Sequence, residues 1–229
     1  WTMWYCQILH ISYYFLCTAD TNITKEVSRV FDFFDRNYKI GRFAHLLVSP
    51  LSLRSRIIKM IKQEISNVRS GLEGKIYLKC NNLVDPEIIN MLCLAAKLGV
   101  NVRLNVRGMF SVITEYTELQ YSIASIGMID RYLEHSRVYY FYNNGDEKLF
   151  ISSADFMSRN LDRRVEVAVP VYDEKIKEEL KQFLELQWKD NTAARVLDVQ
   201  LNNQIKDSDR TPKVKAQLEY YEILRNRNE

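Results

Sequence analysis

The fold is decided by residues 75–106, which read KIYLKCNNLVDPEIINMLCLAAKLGVNVRLNV. Both ends of this stretch are short segments with alternating apolar residues, a pattern that predicts β-strands. Between them, Asp85-Pro86 predicts a helix start, because the carboxylate caps free N–H groups and proline fits the first helical turn. Gly99 predicts the end of that helix. A strand, a helix and a second strand in this order predict a parallel pair within an α/β sheet.

The same alternation extends toward the N-terminus. Residues 44–48 predict a short buried strand that stops at Ser49-Pro50, and residues 57–68 predict an amphipathic helix with isoleucines along one face. Further upstream, Asn22 is a candidate cap for a helix over 23–34, where apolar residues recur at helical spacing. Strand and helix therefore alternate up to residue 106, which predicts a mainly parallel sheet with functional groups at its strand ends.

The C-terminal side is richer in strands. The segments 137–142 and 148–152 flank Asn143-Asn144-Gly145-Asp146, a turn sequence that predicts a β-hairpin. The other predicted elements are strands at 120–126 and 165–169, helices at 176–188 and 213–225, and a polar loop at 202–211. The expected class is α/β, with a mixed sheet flanked by helices.

Composition narrows the classes of function. The 229 residues are 47% hydrophobic and 27% charged with a net charge of +3, a balance that permits an acidic partner without requiring one. The four cysteines match no zinc spacing and only three histidines are present, so a His/Cys metal cluster is not expected. Residues 1–19 carry no basic leader and are marginal in length for a membrane span, so we predict no targeting signal.

His135 is the first candidate for chemistry. It precedes a predicted strand and lies between Arg131 and Arg137 in the sequence. Cations beside a histidine suit phosphoryl transfer, because the transferred group spreads negative charge over its oxygens. The alternative is a structural histidine on a loop, and composition and spacing alone favour this alternative.

Arg107 is the second candidate, since it follows an apolar strand and precedes Gly108. Its guanidinium can reach over the sheet end and offer a rigid fork to phosphate oxygens. The run 152–155 (SSAD) and Arg159 are further candidates, because hydroxyl and guanidinium groups donate to phosphate. Asn81-Asn82 is a weaker one at a neighbouring strand end. The alternative in each case is a solvated surface group.

Taken together, these segments resemble the consecutive motifs of type 1 bacterial polyphosphate kinases. The matching runs, in family order, are Leu47-Val48-Ser49-Pro50, residues 79–85 (KCNNLVD), Val106-Arg107-Gly108-Met109, residues 130–135 (DRYLEH), residues 152–155, Arg159-Asn160, residues 165–169 and residues 213–218 (KVKAQL). The 28-residue separation of Arg107 from His135 also resembles the family spacing. The resemblance covers residues 18–229.

The resemblance implies a phospholipase-D-like fold in two parts. Residues 1–43 would be a remnant of a preceding catalytic domain, and residues 44–229 would be the second one. It also implies reversible transfer of the terminal phosphate of ATP to inorganic polyphosphate, with Mg²⁺ whose ligands are not in this chain. The predicted site consists of His135 as the catalytic group and, with it, the ATP and phosphate contacts Arg107, Arg131, Arg137, Ser153 and Arg159.

The resemblance also leads to expectations about binding partners and cellular location. ATP and polyphosphate would be the ligands, with no nucleic acid, and the chain would form a homo-oligomer. The expected location is cytoplasmic, with peripheral attachment to the inner membrane as an alternative. No integral membrane span is expected.

Residues 1–17 depart from the family pattern. The family's phosphorylated histidine lies in a motif of the type HxGTGN, upstream of the run that Thr18-Ala19-Asp20 matches, and this sequence contains no such motif. His10 lies near that position but lacks the glycines and the asparagine, and no tyrosine can be assigned to adenine stacking. We therefore predict that this chain alone makes no polyphosphate and that residues 1–17 pack loosely.

Two other functions stay open at this stage. One is a non-catalytic module that binds polyphosphate or a nucleotide on its arginines. The other is a phospholipase-D-like phosphodiesterase, whose chemistry joins two HxK half-sites. His135-Ser136-Arg137 supplies one half-site with arginine in place of lysine, so a homodimer would be needed to supply the second.

Overall fold

A computed structural model of the chain describes residues 2–8, 11–36, 41–116, 121–200 and 202–226. The predicted α/β class is confirmed, since an eight-stranded mixed sheet lies between two layers of helices. Within these described ranges no helix is long and apolar enough to cross a membrane.

The elements are numbered in chain order. The strands are β1 (Thr2–Ile8), β2 (Ile11–Cys17), β3 (Leu47–Ser49), β4 (Lys75–Cys80), β5 (Asn101–Val106), β6 (Glu115–Tyr116), β7 (Tyr121–Ser122), β8 (Ala124–Met128), β9 (Leu133–Glu134), β10 (Arg137–Phe141), β11 (Lys148–Ser152), β12 (Glu166–Pro170) and β13 (Ala194–Val196). The helices are α1 (Thr21–Asp35), α2 (Leu53–Arg69), α3 (Pro86–Lys97), α4 (Glu174–Lys189) and α5 (Ala216–Asn226). A single π-helical turn covers Arg159–Arg163.

The large sheet has the order β13-β8-β5-β4-β10-β11-β12-β3. β4 and β5 are parallel, as predicted, with Lys75 opposite Asn101 at their starts. β10 runs antiparallel to β4 and forms the predicted hairpin with β11. The hairpin turn places Asn143 and Asn144 at positive φ, a conformation that asparagine tolerates better than most residues.

The strand predicted at 44–48 forms at Leu47–Ser49, but it does not lie where the alternation of elements suggested. β3 pairs antiparallel with β12 at the far edge of the sheet, and three strands separate it from β4. The predicted strand at 120–126 is likewise divided between β7 and β8. Local periodicity identifies a strand but does not specify which distant strand pairs with it.

β4 separates two apolar cores. Ile76 and Leu78 pack toward α2 and α3, whose buried isoleucines and leucines confirm the predicted helix faces. Tyr77 packs on the opposite face, against α4 and α5. Because side chains alternate along a strand, Lys79 points into the same face as Tyr77 and is only 2% exposed.

The cap of α1 differs from the prediction. Asp20 precedes the helix, and its carboxylate accepts the N–H groups of Asn22 and Ile23 at 2.9 and 3.2 Å. Asn22 therefore lies inside the helix, where its own N–H is one of the groups to be capped. Phe31 and Phe34, two of the apolar residues that recur at helical spacing, are 65% and 61% exposed.

A buried carboxylate joins α1 to the segment before β3. Glu26 is 3% exposed, and its oxygens accept the N–H groups of Ala44 at 2.6 Å and Leu46 at 2.8 Å, as well as that of His45. This contact crosses the proposed division at residue 43, which stays a prediction.

Residues 2–8 and 11–17 form an antiparallel hairpin, and β2 also pairs in parallel with β9. The ring of Tyr14 lies 5.0 Å from the ring of Phe183 on α4 and 6.5 Å from that of Tyr220 on α5. The prediction that residues 1–17 pack loosely is therefore wrong for the described part of this segment. Strand pairing and the aromatic contacts dock it on the α4–α5 side of the molecule.

Candidate functional site

Four strand ends meet at one edge of the large sheet. β4 ends before Asn81 and β5 ends before Arg107, while Arg137 begins β10 and β11 leads into Asp155. Because β4 and β5 are parallel to each other and β10 is antiparallel to β4, all four ends lie on the same side. The topology therefore gathers polar residues from four separate parts of the sequence.

Asp155 links these strand ends. Its Oδ1 accepts the N–H of Asn81 at 2.8 Å and Nε of Arg137 at 3.1 Å, and its Oδ2 accepts Nδ2 of Asn82 at 2.8 Å. Burial alone would raise the pKa of the Asp155 carboxyl, but the Arg137 guanidinium and the amide donors outweigh it and lower that pKa. Asp155 is thus an ionised anchor for Arg137.

Arg107 is held by only one of its three guanidinium nitrogens. Nε donates to Oδ1 of Asn81 and to the carbonyl oxygen of Glu134, both at 2.7 Å. Among the described residues, no acceptor is recorded for its two Nη groups. The side chain is therefore fixed at its base and presents a fork of N–H donors to a ligand.

Gly108 explains why the chain can bring Arg107 so close to Asn81. A Cβ on Gly108 would lie 2.6 Å from Oδ1 of Asn82 and 2.7 Å from the carbonyl oxygen of Asn81. The Gly108 N–H donates to that carbonyl at 2.7 Å. The two loops are thus in backbone contact, and no larger residue fits without moving them.

His135 lies half-buried beside these arginines. Nη1 of Arg137 is 3.4 Å from Nδ1 of the imidazole and donates to the His135 carbonyl oxygen at 3.1 Å. The ring of Tyr13 meets the imidazole edge-on, with centroids 5.3 Å apart. Burial, followed by the positive charges of Arg137 and Arg107, lowers the pKa of His135. The imidazole is therefore neutral at pH 7, so one ring nitrogen can accept a hydrogen bond while the other donates one.

A pH titration checks this assignment. The imidazole of His135, followed by NMR, is expected to titrate with a midpoint below the ordinary value of 6.5. Replacing a neighbouring cation, as in Arg137→Gln, should raise that midpoint, because one charge that opposes protonation is removed. Arg69→Gln, at the far end of α2, serves as the control and should leave it unchanged. A midpoint at or above 6.5 in the unmodified chain would contradict the assignment.

A buried ion pair lies beneath this site. Nζ of Lys79 is 3.3 Å from Oε2 of Glu134, and both side chains are 2% exposed. The ammonium also donates to the carbonyl oxygen and to the hydroxyl oxygen of Ser136, at 3.0 Å each. Lys79 thus contacts the residues on both sides of His135.

Two glutamines complete the shell around Glu134. Gln187 of α4 donates to Oε2 and Gln217 of α5 donates to Oε1, both at 2.7 Å. Asn105 of β5 in turn donates to Gln187 at 2.9 Å. Hydrogen bonds therefore connect the short segment that carries His135 to the large sheet and to helices α4 and α5. These contacts explain how a loop histidine is held in place.

The structure brings together three of the predicted site residues, namely Arg107, His135 and Arg137. Ser153 lines a groove of about 380 Å³ with His135 and Arg137. However, the Ser153 hydroxyl donates to Oε2 of Glu166 at 2.5 Å and accepts the N–H of Val167 at 3.1 Å, so it is already engaged.

The other two predicted contacts lie apart from this cluster. Arg159 is exposed on the π-helical turn, and no recorded contact joins it to His135 or Arg107. Arg131 lines a different cavity, against α5. Arg131 and Arg159 thus stay predictions with no geometric link to the cluster, and His10 lies outside the described residues.

Sequence reasoning missed Lys79 and Glu134 as parts of the site, and it included Asp155 only as a member of the candidate run 152–155, with no role of its own. Lys75 and Lys79 lie on the same face of their strand, a placement that ordinarily indicates a solvent face, so no sequence signal indicates that Lys79 is buried. Asp155 belongs to a quoted motif, but its pairing with Arg137 depends on the hairpin register. Among the described residues, no group of three or more His, Cys, Asp or Glu side chains is arranged to hold a metal ion, and Mg²⁺ stays a prediction.

Comparison with known proteins adds a family to this geometry. The model of the polyphosphate kinase C-terminal domain 2 matches residues 46–217. The polyphosphate kinase of Escherichia coli (strain K12) is 42% identical over 213 residues, which are 93% of this chain and 31% of that protein. That of Vibrio cholerae serotype O1 is 38% identical over 211 residues, 92% of this chain and 30% of that protein.

One solved structure gives the same family. The crystal structure of a polyphosphate kinase from Porphyromonas gingivalis matches with a TM-score of 0.90 and 38% identity, over 96% of this chain and 34% of that one. A phospholipase D family member from Salmonella typhimurium has a TM-score of 0.48 and 16% identity. The chain thus spans about a third of the length of the polyphosphate kinases that it matches.

Proposed function

This chain belongs to the polyphosphate kinase family, and we propose that it supplies the part of a phosphotransferase site that binds the phosphates of ATP and of inorganic polyphosphate. One observation carries the proposal. Arg107, His135 and Arg137 converge at a single sheet edge, where Asp155 and Asn81 fix the two guanidinium groups. The names of the similar proteins support the choice of substrates.

The proposed reaction is the reversible transfer of the terminal phosphate of ATP to polyphosphate. Such transfers depend mainly on positioning and on positive charge around the transferred group. Arg107 offers its Nη donors to phosphate oxygens, and Arg137 adds a second cation 3.4 Å from the imidazole. The Nε atoms of both arginines are already hydrogen-bonded. The two side chains would therefore bind and orient adjacent phosphoryl groups with little loss of side-chain entropy.

His135 has a distinct role in this proposal. Its Nδ1 lies beside Arg137, which leaves Nε2 as the ring nitrogen for a phosphate oxygen or its proton. Because its pKa is lowered, the ring is neutral at pH 7, and its unprotonated nitrogen can accept a proton as a general base. We assign it proton handling and phosphate contact, and we do not assign it the covalent intermediate, since the family's HxGTGN motif does not occur in this sequence. Magnesium stays a prediction.

The Arg107→Ala variant tests the binding half of the proposal. It should weaken binding of polyphosphate by about tenfold, since it removes charge-assisted hydrogen bonds to phosphate. The matched control is Arg69→Ala, an exposed arginine at the opposite end of the sheet layer. Calorimetry at two salt concentrations would measure both variants, and binding of the unmodified chain should weaken with added salt. Equal losses in both variants would contradict the assigned site.

A transfer assay on the same protein separates the proposed half-site from the alternatives. Incubated with labelled ATP and Mg²⁺, this chain is expected to form no polyphosphate. Robust synthesis would show that the missing motif is dispensable. If this chain binds ATP or polyphosphate but supports no phosphate transfer, even when it replaces the matching part of a full-length polyphosphate kinase, it is a binding module.

The phosphodiesterase alternative receives less support, because the described residues bring one His135-Ser136-Arg137 half-site to the sheet edge. Hydrolysis of a model phosphodiester would revive it. The homo-oligomeric state, the absence of nucleic-acid binding and the cytoplasmic location stay predictions.

A further inference from the structure

A second cationic cavity lies between the segment before β9 and helix α5. It has a volume of about 360 Å³, and its lining residues are Arg131, Tyr132, Lys215, Gln217, Leu218 and Tyr221. None of these lining residues is acidic. The cavity shares no lining residue with the groove that contains His135.

Two cations, Arg131 and Lys215, line this cavity. The guanidinium of Arg131 lies 5.6 Å from the ring centroid of Tyr132, and no carboxylate within the described ranges forms an ion pair with it. Lys215 is 48% exposed, and its Nζ is 3.5 Å from Oδ1 of Asp130. Asp130 pairs with Lys215, and Oε1 of Glu219 accepts the N–H of Lys215 at 3.3 Å, so Arg131 is the cation at this cavity that no ion pair within the described ranges engages.

The floor of the cavity is rigid. Gln217 is 6% exposed, and its amide group accepts the N–H of Tyr132 at 3.0 Å and donates to the Tyr132 carbonyl at 2.8 Å. The same amide nitrogen donates to Glu134, the residue before His135. Both backbone groups of Tyr132 are therefore held by Gln217, which positions the backbone next to Arg131 before any ligand arrives.

The α5 side of the cavity presents an aromatic and an apolar side chain to solvent. Tyr221 is 50% exposed and Leu218 is 56% exposed, although both lie next to the two cations. A tyrosine face beside cations suits a ligand that carries phosphate together with a planar ring, whereas the cations alone suit a phosphate polymer.

We propose that Arg131 and Lys215 form a second binding site for phosphate oxyanions, separate from the site at His135. The oxyanion could belong to a nucleotide or to a segment of polyphosphate, and the choice of these two sources rests on the proposed function. His135 follows Tyr132 by three positions along the chain, an extended span of roughly 10 Å. A polymer bound at His135 could therefore also occupy this cavity.

Affinity labelling tests the proposal directly. Pyridoxal 5′-phosphate carries a phosphate and an aldehyde, and the aldehyde condenses with a lysine amine to an imine with loss of water. Reduction with borohydride fixes the label, and mass spectrometry locates it. Lys215 is expected to be labelled faster than Lys62, an exposed lysine on α2 that serves as the control. Arg131→Ala should lower labelling of Lys215 by about tenfold, and Arg107→Ala should leave it unchanged.

Protection identifies the source of the oxyanion. Protection of Lys215 by ATP supports a nucleotide site, and protection by polyphosphate alone supports a polymer site. Labelling of Lys215 no faster than that of Lys62, or equal protection by sodium chloride of the same ionic strength, would overturn the proposal. Loss of binding in Arg107→Ala with no protection at Lys215 would refute this second site and spare the first. Protection at Lys215 with normal polyphosphate binding in Arg107→Ala would support this second site and refute the assigned site at Arg107 and His135.

Discussion

Lys79→Met is expected to lower the free energy of unfolding by about 3–5 kcal/mol, because it leaves the Glu134 carboxylate buried without its cation. Both side chains of the pair are 2% exposed, so water cannot replace the lost ammonium. The carbonyl and hydroxyl oxygens of Ser136 lose their donor as well. Urea denaturation followed by circular dichroism would measure the change.

Lys75→Met on the same strand is the matched control. Its ammonium is paired with Glu73, but the two side chains are 39% and 57% exposed. Exposed pairs of this kind contribute about 0–1 kcal/mol, so the control should be nearly neutral. A Lys79 variant as stable as the Lys75 variant would show that Glu134 is not held by its ion pair. In that case the two glutamines alone would support the His135 segment.

Asp155→Asn is expected to cost about 2–4 kcal/mol and to abolish most phosphate binding. An amide in place of the carboxylate turns one acceptor oxygen into a donor, which then faces the donors of Asn82 or Arg137. The Arg137 guanidinium would lose its anchor, and the link between β4 and the segment after β11 would break. Asp209→Asn, in an exposed loop, is the control for loss of a carboxylate.

The Asp155 prediction has a defined pH dependence. The folded-state pKa of this carboxyl lies below its ordinary value of 3.8, so its contribution to stability is present above the unfolded-state pKa. That contribution is lost as the pH falls through the folded-state pKa. The difference in stability between the unmodified chain and Asp155→Asn should therefore be constant near neutral pH and shrink between about pH 5 and pH 2. A difference that grows on acidification would mean that Asp155 is not ionised in the folded state.

Local signals in the sequence were sufficient for most elements and insufficient for their arrangement. Asp85-Pro86 and Gly99 bound α3 as predicted, because caps and turns are decided by neighbouring residues. The place of β3 beside β12 could not be predicted, since strand pairing across more than a hundred residues leaves no periodic trace. Residues 1–17 were misjudged for a related reason, because their partners are Phe183 and Tyr220.

The candidate site shows the same division. Motif order predicted Arg107 and His135, and the geometry brings them together with Arg137. The residues that hold them, above all Lys79 and Glu134, could not be predicted, because a buried ion pair is defined by two side chains 55 positions apart. Arg131 was grouped with His135 because the two are near in sequence, yet their side chains line different cavities.

Among the described residues, the order of the small sheet, β1-β2-β9, leaves β1 at an edge along its full length of seven residues. The large sheet ends on both sides in strands of only three residues, β13 and β3. A long edge presents a row of free backbone donors and acceptors that can accept a strand from another polypeptide, whereas a short edge cannot. Growth of this molecule by β-strand addition would therefore begin at β1, and the sheet that carries the proposed phosphate-binding residues would keep its own strand count.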